Sequence, residues 1–270
     1  MSAKKVKSVL KNAVKKIGKV LKAADYKKMA IRAVEDGNFE EAFKAAEKYI
    51  DLIERPLTYD ELKKMCGVHV TVNHTGKMSG MVSISTYCGE NPYCLQHSNV
   101  CGSICEHCFA QTLTKCHTSM VKPLSLNLKI LSSVIIPAKV WPLLNVRFFR
   151  FESFGDLASV VQVINYFNLC RRNPETKFAL WTKNYKFIKE AIEAGNTKPD
   201  NLVIIVSSLM MNIQLRKELY PYADKIFTVY ESEEAAAKNN ACINCGKRHC
   251  LTCGRCYRKD TETYVNELLK

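Results

Sequence analysis

No apolar run in this chain approaches the ~20 residues that a membrane span needs. The first residues also lack the continuous apolar core of a secretory signal. A spanning helix and export by that route are therefore not expected, and the expected compartment is the cytoplasm. Arginine is absent from residues 1–30 and, Asp25 apart, so is negative charge. Ten lysines stand there, giving the stretch +9 of the formal +14 carried by all 270 residues. The rest of the chain carries only +5, so basicity belongs to one segment and says little about the remainder. At 47% hydrophobic and 24% charged, the composition is that of an ordinary globular protein. The length suits one large or two smaller domains with a real core.

Cysteine is the residue in excess. Thirteen cysteines without a secretory signal point to a reducing compartment and to metal binding. The chain is organised around the stretch NPYCLQHSNVCGSICEHCFA, Asn91 to Ala110, which holds Cys94, Cys101, Cys105 and Cys108. The last three have the spacing C-x3-C-x2-C. Thiolates so spaced on one short loop can bind three irons of a [4Fe–4S] cluster and leave the fourth open to a non-protein ligand. Zinc competes, because paired CxxC thiols favour tetrahedral zinc. Disulfides are the remaining reading, with no sign of secretion behind it.

The spacing resembles the signature of the radical S-adenosylmethionine (SAM) superfamily. The flanks ICEHCFA and NPYC resemble, more narrowly, a phage-encoded radical-SAM-like family described as "gene product eighty-eight". The resemblance implies that SAM chelates the open iron through its amino and carboxylate groups. Reductive cleavage of SAM would then yield a 5′-deoxyadenosyl radical. It also implies a flavodoxin- or ferredoxin-like electron donor and, for a phage-encoded protein, the host cytoplasm. Most loops of that superfamily carry an aromatic before the third cysteine; here His107 stands there and Phe109 follows. The phage-type pattern can take its first cysteine further upstream. Cys94 and Cys101 therefore compete for the first ligand position beside Cys105 and Cys108.

The pattern divides the chain into a helical part (1–56), a βα core (57–240) and a cysteine-rich tail (241–270). Residues 4–24 read as a basic amphipathic helix, with Val6, Val9, Leu10, Val14, Ile17 and Leu21 at three- and four-residue steps. It can pack on its own domain with a solvated lysine face, bind nucleic-acid phosphates, or lie on an anionic membrane. The absence of Trp and Phe from its apolar face counts against the last. Residues 25–54 read as a helical hairpin turning at Asp36-Gly37-Asn38. Segments 68–73 and 81–86 read as strands joined by a glycine-containing turn. Further strands are expected at 145–153, 177–182, 201–207 and 225–230. Helices are expected at 109–116 and 124–133, from 157 to Cys170, through Ala194, and near 215–219. The alternation predicts an α/β fold with a parallel sheet. Five βα-type strands suggest an incomplete parallel βα barrel, with a doubly wound open sheet as the alternative.

Polar residues fall at the strand ends, where parallel α/β folds bind ligands: Glu152, Ser153, Asp156, Thr182, Lys183, Ser207, Ser208 and Glu231. Arg150 and Glu152 interrupt an apolar strand and are expected on one face. The resemblance implies that Glu152 and Gly155-Asp156 hold the SAM amino group, and it leaves Ser207 and Ser208 for its ribose or carboxylate. The tail ACINCGKRHCLTCGRCYRK is the second cysteine signal. Cys242, Cys245, Cys250 and Cys253 suit zinc. Cys250, Cys253 and Cys256 with one upstream cysteine suit a second [4Fe–4S] cluster. Lys247, Arg248, Arg255, Arg258 and Lys259 surround these thiols and could meet phosphates or offset thiolate charge. Cys66, Cys88, Cys116 and Cys170 read as buried small hydrophobes, with Cys88 close to the first loop. The expected function is a radical SAM enzyme on an unidentified substrate, possibly nucleic acid. The alternative is a non-catalytic, zinc- or iron–sulfur-stabilised nucleic-acid-binding protein.

Overall fold

The computed structural model describes residues 3–246 and 248–269, with side chains from residue 11 onward. Lys247 and the side chains of Val6, Val9 and Leu10 lie outside the described residues. The chain separates into two compact units. One holds the residues up to Val68 together with Ile136–Leu143; the other holds His69–Ile135 and the chain from Leu144 onward.

The first unit is helical. α1 (Ala3–Glu35) runs unbroken through the join expected near residue 24, because Lys22 to Ala30 contains no glycine or proline to stop it. The Asp36-Gly37-Asn38 turn holds, with Gly37 at φ 75°. Asn38 then caps α2 (Phe39–Ile53) by accepting from the Glu41 N–H. α2 buries Phe39, Ala42, Phe43, Ala46, Tyr49 and Ile50, and α1 supplies the small residues Ala23, Ala30 and Ala33. A third helix, α3 (Tyr59–Cys66), was not anticipated. Thr58 and Glu61 close it with a capping box. Glu61 also accepts from Arg55 (2.7 and 2.8 Å) and from the Tyr49 hydroxyl (2.8 Å).

The second unit is an α/β layer. Its elements are β1 (Thr71–Val72), β2 (Val82–Ile84), α4 (Pro92–His97), α5 (Phe109–Cys116) and α6 (Val121–Ser133). β3 (Phe148–Phe151), α7 (Val160–Arg172), β4 (Lys177–Thr182), α8 (Lys186–Glu193) and β5 (Leu202–Ser207) continue the alternation. β6 (Lys225–Tyr230), α9 (Glu233–Lys238), α10 (Cys250–Cys253) and β7 (Tyr264–Leu268) complete it. The seven strands lie side by side in chain order. β1 is antiparallel to β2, and every later pair is parallel. The sheet is open, with β1 and β7 as its edges, so it does not close into a barrel. A doubly wound sheet reverses its strand order at a switch point, and this sheet has no reversal. Among the described residues there are six parallel strands, not five. β7 went unseen because the polar run Asn266-Glu267 interrupts its apolar pattern. The helix expected near 215–219 is only a 3-10 turn, Lys217–Leu219.

Strand alternation gives the sheet two buried faces. One presents Phe149, Phe151, Phe178 and Leu180 toward α7, where Tyr166 stacks on Phe151 at 4.1 Å. The other presents Met81, Phe148, Ala179, Val203 and Ile205, and the β6–β7 connection covers it with Leu251, Cys250, Cys256 and Tyr257. Tyr257 stacks on Phe148 at 4.5 Å, and its hydroxyl reaches the Met81 sulfur. The cysteine-rich tail is therefore built into the core of this unit.

Candidate metal centres

The first cysteine loop leaves the C-terminal end of β2 and crosses the carboxyl ends of β3, β4 and β5. Asn91 starts α4: its side chain accepts from the N–H groups of Tyr93 (2.9 Å) and Cys94 (3.4 Å) and donates to the Asp156 carbonyl (2.7 Å). Further on, a β-bridge joins Ser103 to Met210. Ile104 N–H donates to the Leu209 carbonyl (2.9 Å) and Met211 N–H to the Gly102 carbonyl (3.1 Å). These bonds tie the loop to the turn after β5, beside Ser207 and Ser208. The Ser208 hydroxyl itself donates to the Met210 carbonyl at 2.8 Å.

The thiols share one electrostatic environment. Cys108 occupies the N-cap position of α5 without a side-chain capping bond, beside the Cys88 thiol and facing the first-turn N–H groups of Ala110 and Gln111. These neighbouring donors, the Cys88 thiol first, hold its pKa down to about 6. Cys88 is raised, because it donates to Cys108 and is buried. Burial raises Cys94 and Cys105, with Asp156 adding to it, while Lys183 opposes it in both. Burial acts to depress the Lys183 ammonium, but Cys105, Asp156, Cys94 and Cys108 outweigh it and raise its pKa. Cys94, Cys105 and Cys108 are thus grouped about Lys183. Cys101 is exposed and is not among the principal charged neighbours of the three. Cys88 and Cys170 are buried as expected, and so is Cys66. Cys116 is exposed instead, since it ends α5 on its solvent side.

Beneath the loop, Glu152 and Asp156 tie the strand ends together. Glu152 has φ 53°, so it turns out of the strand one residue after β3 ends. Its carboxylate accepts from Thr86 N–H (3.1 Å), Thr86 hydroxyl (2.8 Å), Gln162 (2.7 Å) and Tyr166 hydroxyl. Burial pushes it up to about 7 despite those bonds. The expectation that Arg150 and Glu152 share a face is therefore corrected: the left-handed turn sends Glu152 to α7. Arg150 stays with the opposite face, 4.0 Å over the Trp181 ring and 3.2 Å from the Met78 sulfur. Asp156 accepts from the Thr182 hydroxyl and the Lys183 N–H (2.9 Å). A Cβ on Gly155 would stand 2.3 Å from the Thr86 hydroxyl and 2.6 Å from its carbonyl. The glycine is needed for close approach to protein. The Ser153 hydroxyl is buried, with no hydrogen-bond partner among the described residues. Glu231 is exposed, and its N–H donates to the Asn212 side chain.

The tail groups four of its five cysteines. Cys245, Cys250, Cys253 and Cys256 are electrostatic neighbours of one another, and Cys242 is exposed apart from them. Burial raises Cys245 and Cys250 and pushes Cys256 up to about 12. Lys77 donates to the Cys245 sulfur (3.6 Å) and pairs with Glu267. Arg150 opposes the rise at Cys250 and Cys256. Arg255 pairs with Glu262 at 2.7 Å, and Arg258 with Asp260 at 3.4 Å.

As placed, no three Cys, His, Asp or Glu side chains among the described residues converge to hold a single metal ion. Around a four-iron cluster each thiolate meets its own iron, so the sulfurs stand apart. The donor set fits such a cluster: grouped thiols, one already at about 6, with a lysine ammonium to offset thiolate charge.

A family model described as gene product 88 matches residues 56–263. The chain belongs to the gene product 88 family. The matched span of this family member runs from the start of α3's approach through both cysteine groups. No curated protein and no solved structure matches the chain. Among the described residues no helix is long and apolar enough to cross a membrane.

The sequence named the thiols and the acids of these sites. It passed over Asn91, Thr86 and Gln162, whose roles depend on partners about sixty residues away in sequence or on the next helix. Lys183 was visible only as one more polar strand end. Its neighbours Cys94 and Cys105 arrive from a different loop.

Proposed function

We propose that this gene product 88 family member is a radical SAM-type iron–sulfur enzyme. The observation that carries the reading is the grouping of Cys94, Cys105 and Cys108 about Lys183 at the carboxyl ends of parallel strands, where α/β folds bind ligands. The open sheet of parallel strands in chain order supports an α/β scaffold with its site at the strand ends. Cys94, Cys105 and Cys108 would hold the cluster, with Cys101 as the competing first ligand. When bound, the cluster with SAM would supply one-electron cleavage chemistry, fed by a flavodoxin- or ferredoxin-like donor. The chain's own residues would orient and shield. Lys183 offsets thiolate charge. Asp156 holds the turns after β3 and β4 in register. Glu152 fixes Thr86 and the loop root, and its oxygens already accept four bonds from protein. That arrangement supports a positioning role for Glu152 beneath the cofactor. Ser153 and Ser207 remain hydroxyls offered to a ligand, whereas Ser208 already donates to the Met210 carbonyl and can only accept. The grouping of Cys245 with Cys250, Cys253 and Cys256 supports a second cluster over the zinc set that needs Cys242.

The test is anaerobic reconstitution with iron and sulfide analysis, a visible spectrum, and paramagnetic resonance of the reduced protein with and without SAM. The expected result is a cluster signal that SAM perturbs. Cys105→Ala, Cys108→Ala and Cys94→Ala should each abolish it, and Cys101→Ala should retain it. Stoichiometric zinc without labile sulfide would overturn the reading.

A further inference from the structure

The register of α1 leaves its aliphatic stripe uncovered. Ala23, Ala30 and Ala33 are buried and define the side that packs on α2. Val14, Ile17, Val20 and Leu21 are 68%, 59%, 62% and 64% exposed. A helix turns about 100° per residue, which centres this stripe about 160°, nearly half a turn, from the alanine side. Packing on α2 therefore cannot cover it. The expectation that the apolar face packs on its own domain fails here for that reason. Lys11, Lys15, Lys16 and Lys22 are exposed as well, and Lys19 pairs with Glu54 at 2.6 Å. Residues 11–24 contain no acid.

We propose that the N-terminal half of α1 docks in the plane of an anionic lipid surface. The aliphatic stripe enters between headgroups, and the lysines meet lipid phosphates. Such a surface takes up both halves of the helix. The stripe gains by leaving water, and each lysine gains near anionic headgroups. A nucleic-acid backbone would satisfy the lysines and leave the stripe wet. With aliphatic residues and no Trp or Phe, the insertion is shallow and reversible.

The experiment sediments the full chain with phosphatidylcholine vesicles, with and without added phosphatidylglycerol, and titrates duplex DNA as a separate arm. The expected result is binding to the phosphatidylglycerol vesicles alone, weakened by salt. The charge-neutral double variant Ile17→Gln/Leu21→Gln should lose at least about tenfold in vesicle affinity. Its circular dichroism and melting should not change, since both side chains are exposed. If the full chain ignores anionic vesicles, or the double variant binds them as tightly as the parent, the proposal is overturned. DNA binding that the double variant retains in full, with vesicles unbound, would give the lysines to nucleic acid instead.

Discussion

Glu152 holds a left-handed backbone, φ 53°, that few non-glycine residues adopt. The turn lets its carboxylate collect donors from Thr86, Gln162 and Tyr166. Its pKa rises from 4.5 in the unfolded chain to about 7 in the fold, chiefly by burial. The folded protein thus holds this proton more tightly. The stability it contributes is full below 4.5 and is lost as pH climbs through 7. Denaturant titrations of wild type and Glu152→Gln should therefore give a stability gap that shrinks over that window, by up to about 3 kcal/mol. A gap that widens toward neutral pH would show the carboxylate to be stabilised as an anion. Gly155 makes the companion prediction. Gly155→Ala must push against Thr86, with contacts of 2.3 and 2.6 Å, and should cost at least about 2 kcal/mol by thermal melting.

At the scale of elements, the β6–β7 connection does two jobs. It carries the second thiol group, and it seals one face of the sheet with Tyr257, Leu251 and Cys256. Tyr257→Ala should destabilise the fold by about 3–4 kcal/mol, since it empties a stacked, buried site. Cys242→Ser should leave metal content unchanged, while Cys256→Ser should lower it by one centre in elemental analysis. Most of these elements were legible in the sequence. Lys177–Thr182 and Lys225–Tyr230 are short, near-continuous apolar runs rich in aromatic and β-branched residues, as strands of a parallel sheet buried on both faces should be. The faces of Arg150 and Glu152 were not legible, because strand alternation cannot foresee a left-handed residue at a strand end. β7 was hidden for a related reason. Its Asn266 makes its bonds to Asn244 and Cys242, partners supplied by the tail.

At the scale of the molecule, the two compact units draw on different interactions. The helical unit is tied by Glu61, which Arg55 and its other donors hold at about 2 against 4.5 when unfolded. That contribution is present above 4.5 and is lost as pH falls toward 2. The α/β unit responds in the opposite sense through Glu152. Acidification should therefore loosen α1–α3 first, read as loss of helical circular dichroism before loss of the Trp181 fluorescence environment. Both thiol groups were legible as groups, since close spacing in sequence forces closeness in space. The choice of members was not legible. Which of these thiols are covered depends on which side of a turn each sulfur leaves, and Cys101 and Cys242 are the exposed ones.

The strand order has a consequence in time. Because β2 to β7 follow one another in space as in sequence, each strand leaving the ribosome finds its neighbour already in place. Few distant partners must be awaited, and the sheet can lengthen vectorially during synthesis. The face of Met81, Phe148, Val203 and Ile205 is different, because its cover lies between β6 and β7 and is made after β2 to β6. Until it emerges, the nascent chain carries a complete loop of thiols above a bare, greasy sheet. The first thiol group can assemble early, whereas covering that face of the sheet and forming the second thiol group are one later event.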